Sequence, residues 1–367
     1  MNNDRIKLAC IGAGKMGQCA HLKNYARLTD ECEITALAEP QQDKAEKVAA
    51  RYGIPHVYGN AEELLSREQP DAIVASQPFS RHGVILEQLV QAGAPVFIEK
   101  PLASSVQTGQ KIVRMAAESE MQIMVGYHKR SDPAVEYAQE QIENIKEQGM
   151  LGRMKYVRIT MPPGDFVQHG FDDFIQGTDD IPPSASDPPP DDMDGETFKR
   201  YVSFVNFYIH QVNLLRFLMG ETYQVAYADT GGILFVCESS SGITGTIEMN
   251  PFHTTRGWQE QALVCFERGY IKVCIPAPLA ANRPGRVEVF TDPDRESLPE
   301  LRIPVLKREH AMKNQARNFL AFVRGERPAP CGAEEALEDL KTAREFLYRK
   351  APYVSAVQKR EHIRRNV

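Results

Sequence analysis

From residue 5 to about 125, short apolar runs alternate with stretches of helical period. The apolar runs are 6–11, 33–38, 71–76, 95–99 and 121–126. The helical stretches lie near 18–28, 41–52, 61–66, 80–92 and 105–119. Strands regularly separated by helices predict a parallel sheet. Helix 41–52 runs into Tyr52-Gly53-Ile54-Pro55, a glycine stop followed by a proline.

Beyond 126 the rhythm changes. The pattern predicts a helix over 133–148, a strand over 154–161 and a helix over 201–219. Strand-like runs then recur at 224–228, 231–238, 243–249, 261–267, 270–275, 286–290 and 301–305, separated by turns such as Ser239-Ser240-Ser241-Gly242. This spacing predicts a large, mostly antiparallel sheet. Helices are expected over 309–324 and 333–348. Between them and the first half lies 162–200, rich in proline and aspartate, where neither regular helix nor central strand is expected. Its phenylalanines, Phe166, Phe171, Phe174 and Phe198, predict a loop that packs on the substrate cleft or on a neighbouring subunit.

The first apolar run ends in Gly12-Ala13-Gly14-Lys15-Met16-Gly17. A glycine-rich turn between a strand and a helix is what a dinucleotide needs. Gly12 permits the turn, Gly14 lets a pyrophosphate approach the backbone, and Gly17 lets helix and strand pack closely. The helix N-terminus offers free N–H groups to phosphate. The second strand ends in Glu39, 22 residues beyond Gly17. A carboxylate there accepts from adenosine ribose hydroxyls and repels a 2′-phosphate, so NAD is expected rather than NADP.

Two further clusters carry candidate chemistry. Glu99-Lys100-Pro101 closes an apolar strand, so Lys100 is expected beside the reacting hydroxyl. On the helix 201–219, Asn206, His210 and Asn213 fall at i, i+4 and i+7, a polar stripe with a histidine that can take a proton near neutral pH.

Composition narrows the class. With 367 residues the chain is long enough for two domains, taken as 1–126 and 127–367. A net charge of −6 gives no reason to expect nucleic-acid binding. No apolar run approaches the roughly 18 residues of a membrane span, and Met1-Asn2-Asn3-Asp4-Arg5 lacks a signal-peptide core. Seven scattered cysteines, with no C-x-x-C pair, predict a reducing cytoplasm, no disulfide framework and no metal site.

Together these motifs resemble the glucose–fructose oxidoreductase / inositol dehydrogenase (Gfo/Idh/MocA) family over nearly the whole chain. The resemblance rests on the glycine turn, Ala92-Gly93-Ala94-Pro95-Val96, Glu99-Lys100-Pro101-Leu102-Ala103, Val125-Gly126-Tyr127-His128-Lys129-Arg130, Gly149-Met150-Leu151-Gly152, and His210 with Leu214-Leu215-Arg216-Phe217-Leu218-Met219-Gly220. It implies a Rossmann domain followed by an α+β domain with a large open sheet, homodimers or homotetramers, and NAD-dependent oxidation of a sugar, glycoside or cyclitol hydroxyl. Lys100 and His210 match the family's catalytic pair. Gly12, Gly14, Lys15, Met16, Gly17, Glu39, Gln77, Pro78, His82 and Glu99, with Lys100, are the implied cofactor residues. Asn206, Asn213, Tyr127, His128 and Arg130 are the candidate substrate contacts. The family often has acids where this chain has Asn206 and Asn213; an amide takes no proton, which leaves His210 as the base. Two alternatives stay open: a tightly held NAD recycled without release, and a non-catalytic nucleotide sensor.

Overall fold

Short apolar runs buried on both faces build the first sheet. The structure is a computed structural model describing residues 5–177 and 184–364, the stretch 350–364 as helical backbone alone. Asp179, Asp180, Ile181, Pro182 and Pro183 of the proline- and aspartate-rich stretch lie outside the described residues. The strands are β1 (Ile6–Ile11), β2 (Cys32–Ala38), β3 (His56–Tyr58), β4 (Ala72–Ala75), β5 (Val96–Glu99) and β6 (Ile123–Gly126). They pair in parallel in the order β3-β2-β1-β4-β5-β6. β4, β5 and β6 are buried throughout, as strands covered on both faces must be. A wide, π-type helical stretch (Gly17–Leu22) leads into α1 (Lys23–Tyr25). α2 (Gln42–Tyr52), α3 (Ala61–Arg67), α4 (His82–Leu89) and α5 (Val106–Ser119) follow between later strands. The strand order reverses between β1 and β4, so the crevice beyond their carboxyl ends is where a ligand binds in such a sheet.

After α6 (Pro133–Gln148), the second sheet comprises β7 (Met154–Thr160), β8 (Tyr223–Ala228), β9 (Leu234–Ser239), β10 (Thr244–Glu248), β11 (Gln261–Phe266), β12 (Gly269–Cys274), β13 (Arg286–Thr291) and β14 (Glu300–Arg302). Its order is β14-β13-β12-β11-β7-β10-β9-β8, antiparallel except between β7 and β10. Alternation splits its faces. Val157, Ile159, Val264, Ile271, Val273 and Val289 are buried, and helices α6 and α7 (Gly195–Met219) pack against this sheet. Tyr156, Arg158, Leu263, Cys265, Lys272 and Glu288 on the opposite face are only half-buried.

Two helices complete the chain, α8 (Ala311–Val323) and α9 (Ala333–Arg364). α9 joins the two units by packing on both α5 and α7. A Cβ on Gly109 of α5 would lie 3.0 Å from both Leu337 and Leu340, so glycine lets the two helices approach. Among the described residues no helix is long and apolar enough to cross a membrane.

Three expectations change. β3 is a strand the hydrophobic pattern did not mark, because it has three residues and none is buried. The run 301–305 shortens to β14, whose three residues are all exposed. α7 starts at Gly195 rather than 201, because the Asp194 carboxylate accepts from Thr197 N–H at 2.7 Å and caps its first turn.

Candidate active site

The glycine turn fits a dinucleotide. Gly12 has φ +95°, and a Cβ there would stand 2.6 Å from Ser76 O. A Cβ on Gly17 would stand 2.5 Å from Gly12 O, so this glycine closes the turn onto the helix. A Cβ on Gly14 would meet nothing within 4 Å, which leaves the open approach a pyrophosphate needs. Lys15 is exposed. Glu39 is buried at the end of β2. Its Oε2 accepts from Ala13 N–H at 2.9 Å, and its Oε1 lies 2.8 Å from Lys44 Nζ. The acid expected at the ribose therefore also braces the glycine turn.

The other implied cofactor residues divide. Gln77 Oε1 accepts from Arg81 at 2.8 Å, while its amide nitrogen lies beside Gly12; Pro78 opens the helical turn Phe79–Arg81. His82, expected at the cofactor, is fully buried with Nδ1 3.1 Å from Leu102 O and Nε2 3.2 Å from Gln77 O. It braces the turn after β4 against the turn after β5, and burial pushes its pKa down. Glu99 Oε1 lies 2.6 Å from His21 Nε2, tying β5 to the helix of the glycine turn. Burial opposes its charge, but the hydrogen bond and charge of His21 outweigh this and hold its pKa low.

β5 delivers Lys100 one residue past Glu99, and the Lys100–Pro101 peptide is cis. Lys100 Nζ donates to the main-chain carbonyl of Asn206 at 2.9 Å. That carbonyl stands one helical turn before His210. Burial, with the nearby charge of Lys129, lowers the Lys100 pKa. Among the described residues neither ring nitrogen of His210 has a hydrogen-bond partner, and Nδ1 is fully buried. The ring meets Tyr127 edge-on at 5.7 Å and His128 at 4.5 Å. Burial first, then the charges of His128, Lys100 and Lys129, push the His210 pKa well below its ordinary value. His128 is pushed the same way by burial and Lys129. The Tyr127 hydroxyl is buried without a partner among the described residues, and burial holds its pKa well above the ordinary range.

The polar stripe on α7 runs inward rather than along the cleft. Asn206 is exposed, His210 half-buried and Asn213 buried. Asn213 Oδ1 accepts from Arg130 Nε at 2.6 Å, and its Nδ2 donates to Asp339 at 2.8 Å. Arg130 forms two bonds to the Glu335 carboxylate and donates to Pro330 O at 2.8 Å; Arg216 pairs with Asp339. Arg130 and Asn213, expected to touch substrate, are thus engaged in a network that fastens α7 to α9. Phe217 closes over the guanidinium of Arg130 at 4.6 Å.

The structure adds partners that no sequence motif pointed to. Lys129 pairs with Glu260 at 2.5 Å, both buried, and Gln211 donates to the other Glu260 oxygen at 2.7 Å. The segment 165–177, expected over the substrate cleft or a neighbouring subunit, lies on the glycine-turn helix of its own chain. The Gln18 side chain exchanges two 3.0 Å hydrogen bonds with the Ile175 main chain, and Arg51 donates to Asp173 O. Phe171 and Met16 both pack against the small cluster of Ala20, Leu279 and Met312, and Lys15 Nζ lies 5.7 Å from the Phe171 ring centre. Beyond the undescribed residues, Asp187 accepts from Gly83 N–H and Val84 N–H at 3.0 and 3.1 Å.

Comparison with known proteins agrees with this fold. Residues 6–127 match the model of the oxidoreductase family with an NAD-binding Rossmann fold. The scyllo-inositol 2-dehydrogenase (NAD(+)) of Bacillus subtilis is 27% identical over 176 residues, which is 47% of this chain and 50% of that protein. The chain thus spans about half the length of this relative. An inositol 2-dehydrogenase of Rhizobium meliloti is 23% identical over 349 residues, covering 89% of this chain and 92% of the relative. The aldose–aldose oxidoreductase of Caulobacter crescentus shares the fold, with a TM-score of 0.68 at 18% identity, over 95% of this chain and 98% of that one. The six-stranded unit therefore has the NAD-binding Rossmann fold that this family model describes.

Proposed function

We propose that this chain, which belongs to the Gfo/Idh/MocA oxidoreductase family, oxidises a secondary hydroxyl of a sugar, glycoside or cyclitol with NAD. The observation that carries this reading is the pairing of Lys100 with the turn of α7 that bears His210, whose ring nitrogens are both free of hydrogen bonds. The bound nicotinamide supplies the hydride acceptor. His210 takes the hydroxyl proton, and its low pKa keeps it neutral for that task. Lys100 donates a hydrogen bond to the same oxygen and stabilises the negative charge that develops there. Asn206 and Tyr127 flank these two groups, and the buried Tyr127 hydroxyl has no other partner. A polyhydroxylated substrate supplies both donors and acceptors for such unpaired groups. The relatives named as inositol dehydrogenases support the same substrate class. Reduction of NAD in the presence of sugars and cyclitols tests the reading, and a sensor that binds NAD without turnover is its opposite.

One observation favours a second reading. The segment 165–177 holds the glycine-turn helix through Gln18 and the neighbouring helix α2 through Arg51, an arrangement suited to an NAD that stays bound through successive turnovers. Cofactor content after exhaustive gel filtration separates retention from free exchange. The half-buried, mixed apolar and polar face of the eight-stranded sheet supports assembly into a homodimer or homotetramer, which light scattering measures directly.

A further inference from the structure

The loop between β10 and β11 carries a group that the reading above does not use. Trp258 is the chain's only tryptophan. Its ring is half-buried, yet Nε1–H is fully buried and has no acceptor among the described residues. Buried indole N–H groups ordinarily find a partner, because an unmet donor has lost its water for nothing. Asn250, at the start of the same loop, leaves its Oδ1 buried and unpaired as well.

The tryptophan is held in place from several sides. Lys129 Nζ lies 5.7 Å from its ring centre, and Lys129 is bonded to Glu260, two residues beyond the tryptophan. The other Glu260 oxygen accepts from Gln211. Lys129 follows His128 in the chain, and Gln211 follows His210. One carboxylate thus ties the tryptophan loop to both histidine-bearing segments. A buried ion pair of this kind is rarely a gain in stability over apolar packing, so its role is more readily one of position. On the other side, Asp165 N–H donates to Gly257 O at 3.0 Å and Thr254 Oγ1 donates to the same carbonyl at 2.9 Å.

We infer that Trp258 is a substrate-contacting, specificity-determining residue: its Nε1–H donates to a non-reacting hydroxyl of a sugar or cyclitol ring, and its indole face covers the C–H face of that ring. Buried donor and flat apolar surface together suit a polyol ring, which alternates hydroxyls with C–H bonds. A substrate lacking the matching hydroxyl leaves the donor unmet and is discriminated against. The inference rests on the polyol reading above.

A single tryptophan makes the test direct. The intact protein, saturated with NAD, is titrated with myo-inositol, scyllo-inositol, D-glucose and D-xylose while tryptophan emission is followed. The emission is expected to change with the oxidised polyol, with a midpoint equal to its KM. Trp258→Phe keeps an aromatic ring and removes the donor; KM is expected to rise about tenfold with kcat within a few fold and NAD affinity unchanged. A wild-type protein that oxidises a polyol with no emission change, together with an unaltered KM in Trp258→Phe, overturns the inference and leaves the polyol reading intact. NAD binding without oxidation of any of the four polyols overturns the polyol reading and this inference with it.

Discussion

Lys100 Nζ donates a 2.9 Å hydrogen bond to the main-chain carbonyl of Asn206, the acceptor position for the N–H of His210 in an α-helix. The strand end of one sheet and the helix of the other thus meet at a single peptide group. A donor and a base for one alcohol stand within one helical turn of each other, though 110 residues separate them in the chain.

Removing the donor should cost rate rather than cofactor. Lys100→Met is expected to lower kcat about 10²-fold or more while the Kd for NAD stays within a few fold. Steady-state kinetics with a separate NADH fluorescence titration measures both. An unchanged kcat would make Lys100 a packing residue.

The buried Glu39–Lys44 pair bears on cofactor choice. Glu39→Gln removes the carboxylate and leaves the Lys44 cation without its counter-charge. NAD binding is expected to weaken about tenfold, the scale of one charge-assisted hydrogen bond, while NADP binding strengthens. Calorimetry with each cofactor checks this. Unchanged preference would remove Glu39 from the ribose site.

The glycine turn, the Glu99-Lys100-Pro101 strand end and the sheet classes were legible because their signals are local. Gly12, Gly14 and Gly17 act within six residues, and strand period needs only neighbours. The family resemblance implies His82 and Arg130 as site residues, and the stripe shared with His210 offers Asn213. Their partners, Leu102 O, Glu335 and Asp339, are contributed by distant segments that no motif connects to them. Glu260 and Trp258 are silent for the same reason: each is an isolated residue until the fold brings it to Lys129, which the motif ending in Arg130 contains without naming a partner for it. The start of α7 carried a readable signal, Asp194 three residues before Thr197, masked by the prolines ahead of it.

The segment over the glycine turn should set how fast NAD leaves. Gln18→Ala removes both bonds to Ile175, and Arg51→Ala removes the bond to Asp173 without touching the turn. Each is expected to speed NAD dissociation several-fold in stopped-flow displacement, with little change in association. Identical dissociation in both variants would make the segment a passive connection.

The pH profile follows from two depressed pKa values. The base must be neutral, and burial with neighbouring cations places the His210 transition well below about 6.5, so the acid limb should fall below that value. The donor must keep its proton, and the lowered Lys100 pKa brings the alkaline limb below the usual lysine range. Asn206→Asp adds negative charge one turn from His210, raises its pKa and should shift the acid limb upward. A limb that does not move in this variant would separate Asn206 from the reaction centre.

The most direct measurement is formation of reduced nicotinamide, followed by its absorbance, when the wild-type protein and His210→Ala meet NAD and a panel of sugars and cyclitols. The wild type is expected to reduce NAD with at least one polyol. His210→Ala should bind NAD equally well and lose about 10²- to 10⁴-fold in kcat together with the acid limb. Full activity and an unchanged pH profile in His210→Ala would contradict the proposed base, and an NAD-binding wild type that oxidises none of the polyols would contradict the proposed function.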